Sequence, residues 1–166
     1  MSVWLMLFII LAIAMLVGPI MIMQPSARDQ RLAKCRQRAA ALGLQVKAIK
    51  VGEQYLMSYR LPVPVVLGEE VAAMDAKDLP CWQLMKQPYA HELHFYGKWQ
   101  LQSKASAIPQ HYQDQLRVFI DTLPEDVVGL EVNPDAIGLV WLESPGSITV
   151  EQIRDHLKEL HRLISG

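Results

Sequence analysis

Cys81, His91, His94 and His111 are the side chains whose chemistry and spacing could build a reactive or metal-binding centre. Thiolate and imidazole are the ligand types that Zn²⁺ prefers, and a zinc site gathers them into a tetrahedron. The spacing opposes that arrangement. Residues 91–96 read HELHFY, a strand pattern, and alternate side chains of a strand point to opposite faces. His91 and His94 therefore diverge unless a loop or bulge intervenes. The expectation is no metal and no cofactor, with Cys81, His91 and His94 kept as the alternative metal set.

The remaining reactive side chains read as ordinary. Cys81 stands between Pro80 and Trp82 with no base beside it, and reads as a small core residue. Cys35 lies among Lys34, Arg36 and Arg38, where positive charge favours the thiolate, and close enough to an apolar segment for lipidation. His156 and His161 fall about 140° apart around a helix and read as solvated positions. Trp99 and Trp141, on expected strands, read as core residues rather than a base-stacking platform.

There is no P-loop, no G-x-G-x-x-G, no G-x-S-x-G elbow, no H-E-x-x-H and no paired C-x-x-C. The sequence thus gives no warrant for an enzyme. With 16 basic and 17 acidic residues in 166, the formal charge of -1 excludes a strongly basic nucleic-acid binder. A hydrophobic content of 51% excludes a disordered chain, and two cysteines exclude a disulfide-stapled scaffold.

The apolar residues are unevenly spread. Residues 3–23 read VWLMLFIILAIAMLVGPIMIM, without a charged or strongly polar side chain. As a helix this run extends about 31 Å at 1.5 Å per residue, matching a hydrocarbon core of about 30 Å. No basic residue precedes it and no A-x-A site follows, so the expectation is a retained transmembrane helix, residues 1–24, rather than a cleaved signal. Trp4 sits where an interfacial aromatic belongs, and Gly18-Pro19 should bend the last turns. Ala14 and Gly18 form a small-xxx-small pair against which a second transmembrane helix could pack.

Beyond the span, residues 25–43 read as a basic juxtamembrane helix. Its formers Ala, Arg, Gln and Leu run over 27–42, and Gly43 caps it. Arg28, Arg31, Lys34, Arg36 and Arg38 oppose Asp29 alone, so this side should be cytoplasmic and the short N-terminus outside. The same five side chains are the expected contacts to anionic lipid or a partner. No aromatic stacking residue accompanies them, which argues against nucleic acid.

Residues 44–166 form the expected cytoplasmic domain. Alternation predicts strands over 44–50 and 54–61, joined at Gly52-Glu53 and ended by Pro62 and Pro64. Residues 62–90 are hard to read, with a short helix over 69–76 and an extended piece over 82–85. A hairpin over 91–103 turns at Gly97-Lys98, a helix follows Pro109, and strands over 127–132 and 137–143 follow in turn. The last helix opens with Thr149 and Gln152 at capping-box spacing and carries the stripe Val150, Ile153, Leu157, Leu160 and Ile164. The expected class is α+β: one transmembrane helix, then an antiparallel sheet with helices on one face, its last elements ordered as tandem ββα units.

The plan of a short outer end, one span, a basic helix and a small inner domain resembles, in architecture only, the small accessory subunit of the bacterial Sec translocon. That protein's body is shorter, and no residue carries over. The resemblance implies a bacterial inner-membrane setting. The functional expectation is a non-enzymatic, single-pass accessory or assembly subunit in contact with membrane lipid and another membrane protein. The alternatives are a membrane-tethered enzyme or metal protein using Cys81, His91 and His94, and a module sensing anionic lipid surfaces.

Overall fold

The computed structural model describes residues 3–22, 26–63, 80–88, 93–103 and 107–166, with side chains of the first helix described through Met15. The chain divides into two compact units, Met1–Lys34 and Cys35–Gly166, with the division inside the second helix.

In the first unit, α1 (Val3–Ile22) is helical over 20 residues. Every described side chain on it is exposed, from Val3 at 81% to Met15 at 75%. Among the described residues no helix is long and apolar enough to cross a membrane. The expectation of a transmembrane helix over residues 1–24 thus finds no support among the described residues. The second helix, α2 (Ala27–Ala41), starts where Ser26 accepts from the Asp29 backbone N–H and donates to its carboxylate. It ends at Gly43, whose φ of 79° is the left-handed cap that a side chain would strain.

The second unit is built on alternation. Strands β1 (Gln45–Val51) and β2 (Gln54–Pro62) pair across Gly52-Glu53. Gly52 at φ 62°, with Glu53 outside the left-handed region, gives a two-residue turn with glycine first, the type II′ geometry. After β3 (Trp82–Lys86), a short hairpin joins β4 (His94–Tyr96) to β5 (Trp99–Leu101). A single 3₁₀ turn at Gln110–Tyr112 leads into α3 (Gln113–Thr122). Strands β6 (Val127–Val132) and β7 (Ala136–Trp141) then form the central hairpin, and α4 (Val150–Ser165) closes the chain.

All strand pairs are antiparallel, in the order β1-β2-β7-β6-β3-β5-β4. The two ββα runs are consecutive in the chain but not equivalent in the sheet, because β3 sits between β6 and β5. On one face Tyr59 and Leu61 oppose Leu139 and Ile137, which in turn oppose Leu130 and Val132. These join Ala39 of α2, Leu116 and Phe119 of α3, and Ile153, Leu157 and Leu160 of α4 in one hydrophobic cluster. All five residues of the expected α4 stripe are buried, and the Thr149–Gln152 capping box is formed in both directions.

The second face of the central strands is also buried, at Ser58, Met85, Gln100, Glu131 and Val140. Two glycines make this possible. A Cβ at Gly129 would strike the Met85 Sδ and lie 2.8 Å from Val140 Cγ2, and one at Gly138 would strike the Glu131 carboxylate.

Four sequence expectations are corrected. The β2 pairing runs through Pro62, opposite Ala136, because proline can occupy the end of a ladder without donating to it. Cys81 is exposed, since it precedes β3 and its thiol faces Asn133 rather than the core. His161 is buried, one position beyond Leu160 on the inward side of α4. The strand expected over 137–143 stops at Trp141 because Glu143 takes a φ of 55°, which no ladder accommodates. The helix expected over 69–76 and the strand start at His91 lie outside the described residues.

Candidate functional site

The alternative metal set can be judged from the sheet. Cys81 lies just before β3, whereas His94 lies on β4, two strands away and opposite Gln100. Four residues along β3 and two strand spacings separate them by on the order of 15 Å, far beyond one metal's reach. His111 is exposed on the 3₁₀ turn, edge-on to the Tyr112 ring. His91 lies outside the described residues. Among the described residues no group of three or more His, Cys, Asp or Glu side chains could hold a metal ion.

The basic helix behaves differently along its length. Arg36 grips Glu143 with both arms, Nε to Oε1 at 3.0 Å and Nη2 to Oε2 at 2.7 Å. The Tyr59 hydroxyl donates to the same Oε1 at 2.7 Å. Glu143 is nearly buried, and its hydrogen bond raises the Arg36 pKa still further. Burial, then the bond to Glu143, raises the Tyr59 pKa well above that of a free phenol, so it stays a donor. Two residues on, Arg38 bonds Glu151 at 2.6 Å at the start of α4, which lowers the Glu151 pKa. Two of the five expected lipid or partner contacts are thus committed to the domain. Arg28 and Lys34 are exposed, and Arg31 is half-buried.

Three further polar clusters were not anticipated from sequence. On the second sheet face Ser58 Oγ donates to Glu131 Oε1 at 2.5 Å, and Arg60 Nε lies 2.7 Å from the same oxygen. Asp126 accepts from Trp141 Nε1 and Ser147 Oγ, tying the end of β7 to the loop before α4. Lys86 donates to the carbonyl of Glu125 at 3.0 Å and lies over the Trp99 ring, with burial lowering its pKa. A signal for the first cluster was visible, because Arg60 and Glu131 are charges inside apolar strands. For Glu143 there was none, as its partner Arg36 lies 107 positions away.

An open cleft of about 470 Å³ runs between α3 and α4, floored by Val118, Phe119 and Leu163, with Glu159 and Arg162 at its rim. Val118 is 68% exposed there, although the apolar stripe of α3 faces inward. The clusters above fix elements to one another, and none of them opens into this cleft.

No known protein family matches the chain, and no curated protein or solved structure is significantly similar to it.

Proposed function

We propose that this protein is a single-pass, membrane-anchored accessory or assembly subunit that acts by binding rather than by catalysis. In this reading α1 spans the bilayer of an inner membrane, its N-terminus faces out, and the α+β domain lies in the cytoplasm. The observation that carries it is α1 itself: a 20-residue helix without a charged side chain, all of whose described side chains are exposed. In water such a surface is costly at about 25 cal/mol per Å² of apolar area, whereas lipid accommodates it. Ala14 is exposed on this helix and one turn from Gly18, which allows close approach of a partner's helix.

The basic charge supports the orientation. Arg28, Arg31 and Lys34 follow the span directly and favour the cytoplasmic side. Arg36 and Arg38, bound to Glu143 and Glu151, serve instead to dock the end of α2 on the domain.

Carbonate extraction of membranes and protease treatment of intact and permeabilised cells test this reading. The expected result is a full chain that resists carbonate, with a C-terminal tag cleaved only after permeabilisation. A chain released by carbonate, or a tag cut in intact cells, overturns it. Stoichiometric co-purification of another membrane protein in mild detergent is the expected second result.

A further inference from the structure

The two edges of the sheet are built differently. At one end β4 has three residues and an irregular register with β5, a short and broken edge that offers little to a further strand. At the other end β1 pairs with β2 over seven consecutive residues, from Gln45 opposite Arg60 to Val51 opposite Gln54, without a bulge. The backbone direction of each β1 residue follows from the turn. In a two-residue hairpin the flanking pair, Val51 and Gln54, exchanges both of its hydrogen bonds. Alternation then turns Ile49, Lys47 and Gln45 toward β2, and leaves the N–H and C=O of Lys50, Ala48 and Val46 facing outward. None of these outward groups bonds another backbone group among the described residues.

The side chains on this edge carry one sign. Lys47 and Lys50 are exposed, β1 has no acidic residue, and neither lysine pairs with a carboxylate among the described residues. By the register with β2 the two lysines lie on opposite faces of the sheet, three positions apart. A second copy pairing antiparallel through its own β1, with Ala48 opposite Ala48, would set each Lys47 opposite Ile49 and diagonal to the other Lys47, and would give neither lysine a carboxylate to meet.

We infer that β1 is a docking edge for an extended, acidic segment of a partner protein, which adds to the sheet as an eighth strand through Val46, Ala48 and Lys50. Acidic side chains three positions apart on that segment meet Lys47 on one face and Lys50 on the other. This deepens the proposed binding function by naming the surface and the chemistry of the partner.

The test uses the full chain in nanodiscs and a synthetic probe, acetyl-Ser-Val-Glu-Val-Thr-Glu-Val-amide, with its double lysine-for-glutamate counterpart as control. Hydrogen exchange should slow at the amides of Val46, Ala48 and Lys50 with the acidic peptide and not with the basic one. Ala48→Pro removes an outward donor without touching the ladder to β2, and should abolish that protection. The Lys47→Glu/Lys50→Glu double variant retains every backbone group and should bind the acidic peptide about tenfold more weakly. Protection confined to other strands, equal binding of both peptides, or dimerisation of the chain through β1 overturns the inference. Because the peptide reads the edge directly, these results hold whether or not α1 proves to span a membrane. A failure here with carbonate-resistant chain leaves the anchoring intact.

Discussion

The Tyr59 hydroxyl and the Arg36 guanidinium meet on a single carboxylate, Glu143, with Tyr59 Oη 2.7 Å from Glu143 Oε1. Tyr59 comes from β2, Arg36 from the end of α2, and Glu143 from the turn after β7, so three distant segments share one anion. Glu143 holds a φ of 55°, a conformation that side chains rarely adopt and that the two donors help to hold. Glu143→Ala leaves a buried hydroxyl without an acceptor and frees Arg36. The expected loss is about 2 kcal/mol, reduced from the value for a fully buried pair because Arg36 is partly solvated. Tyr59→Phe removes the hydroxyl along with its need for a partner and should cost only about 1 kcal/mol. Urea unfolding followed by tryptophan fluorescence measures both, and equal losses would contradict the shared anion.

Gly138 faces Gly129's strand at the point where Glu131 crosses the sheet. A Cβ there would lie 2.5 Å from Glu131 Cγ, and Glu131 is held in turn by Ser58 and Arg60. Gly138→Ala should therefore destabilise the domain by about 1–3 kcal/mol, the range for overpacking a closed site. Gly146→Ala provides the comparison. Nothing crowds that position, and its cost should come from its φ of 80° alone. A Gly138→Ala midpoint matching the parent's would show that Glu131 has room to move.

The amphipathic pattern of α4 and the two central strands was legible because local spacing and tertiary burial agree: Val150 to Ile164 repeats with the helix, and Val127 to Val132 reads as a strand at any register. The hairpin turns were legible for the same reason, since Gly52 and Gly97 mark left-handed positions that few other residues tolerate. Strand order was not. The insertion of β3 between β6 and β5 depends on pairings between residues far apart in sequence, and no local preference encodes them. Cys81 and His161 were misread because residue type stood in for position. A cysteine before a strand stayed outside, and a histidine beside Leu160 was carried inward by the packing of the whole helix. Arg36 and Arg38 look identical in sequence to Arg28, yet the fold commits the first two to Glu143 and Glu151.

His161 offers a pH test. Its ring is buried on α4 with Ser165 Oγ 3.4 Å from Nε2, and burial lowers its pKa below the usual 6.5. The unfolded chain therefore takes up a proton before the folded one does. The stability from this group is complete above pH 6.5 and is lost as the pH falls toward the depressed folded value, with a slope of at most about 1.4 kcal/mol per pH unit. Between pH 7.5 and 5.5 the parent should lose more stability than His161→Phe. Parallel curves for the two proteins would place the sensitivity elsewhere.

Leu11 separates a lipid-facing helix from a helix that merely lacks cover. It is 58% exposed near the middle of α1. If α1 lies across a bilayer, Leu11→Arg places a charge near its centre, at a cost of about 2.5–3.5 kcal/mol on the insertion scale. The expected outcome is a clear shift of chain from the carbonate-resistant to the released fraction. A change at an exposed site should alter the stability of the folded domain by less than about 0.5 kcal/mol. Both measurements are needed together. Loss of membrane retention with an unchanged midpoint assigns the apolar surface of α1 to lipid, whereas a lowered midpoint with unchanged fractionation assigns it to protein.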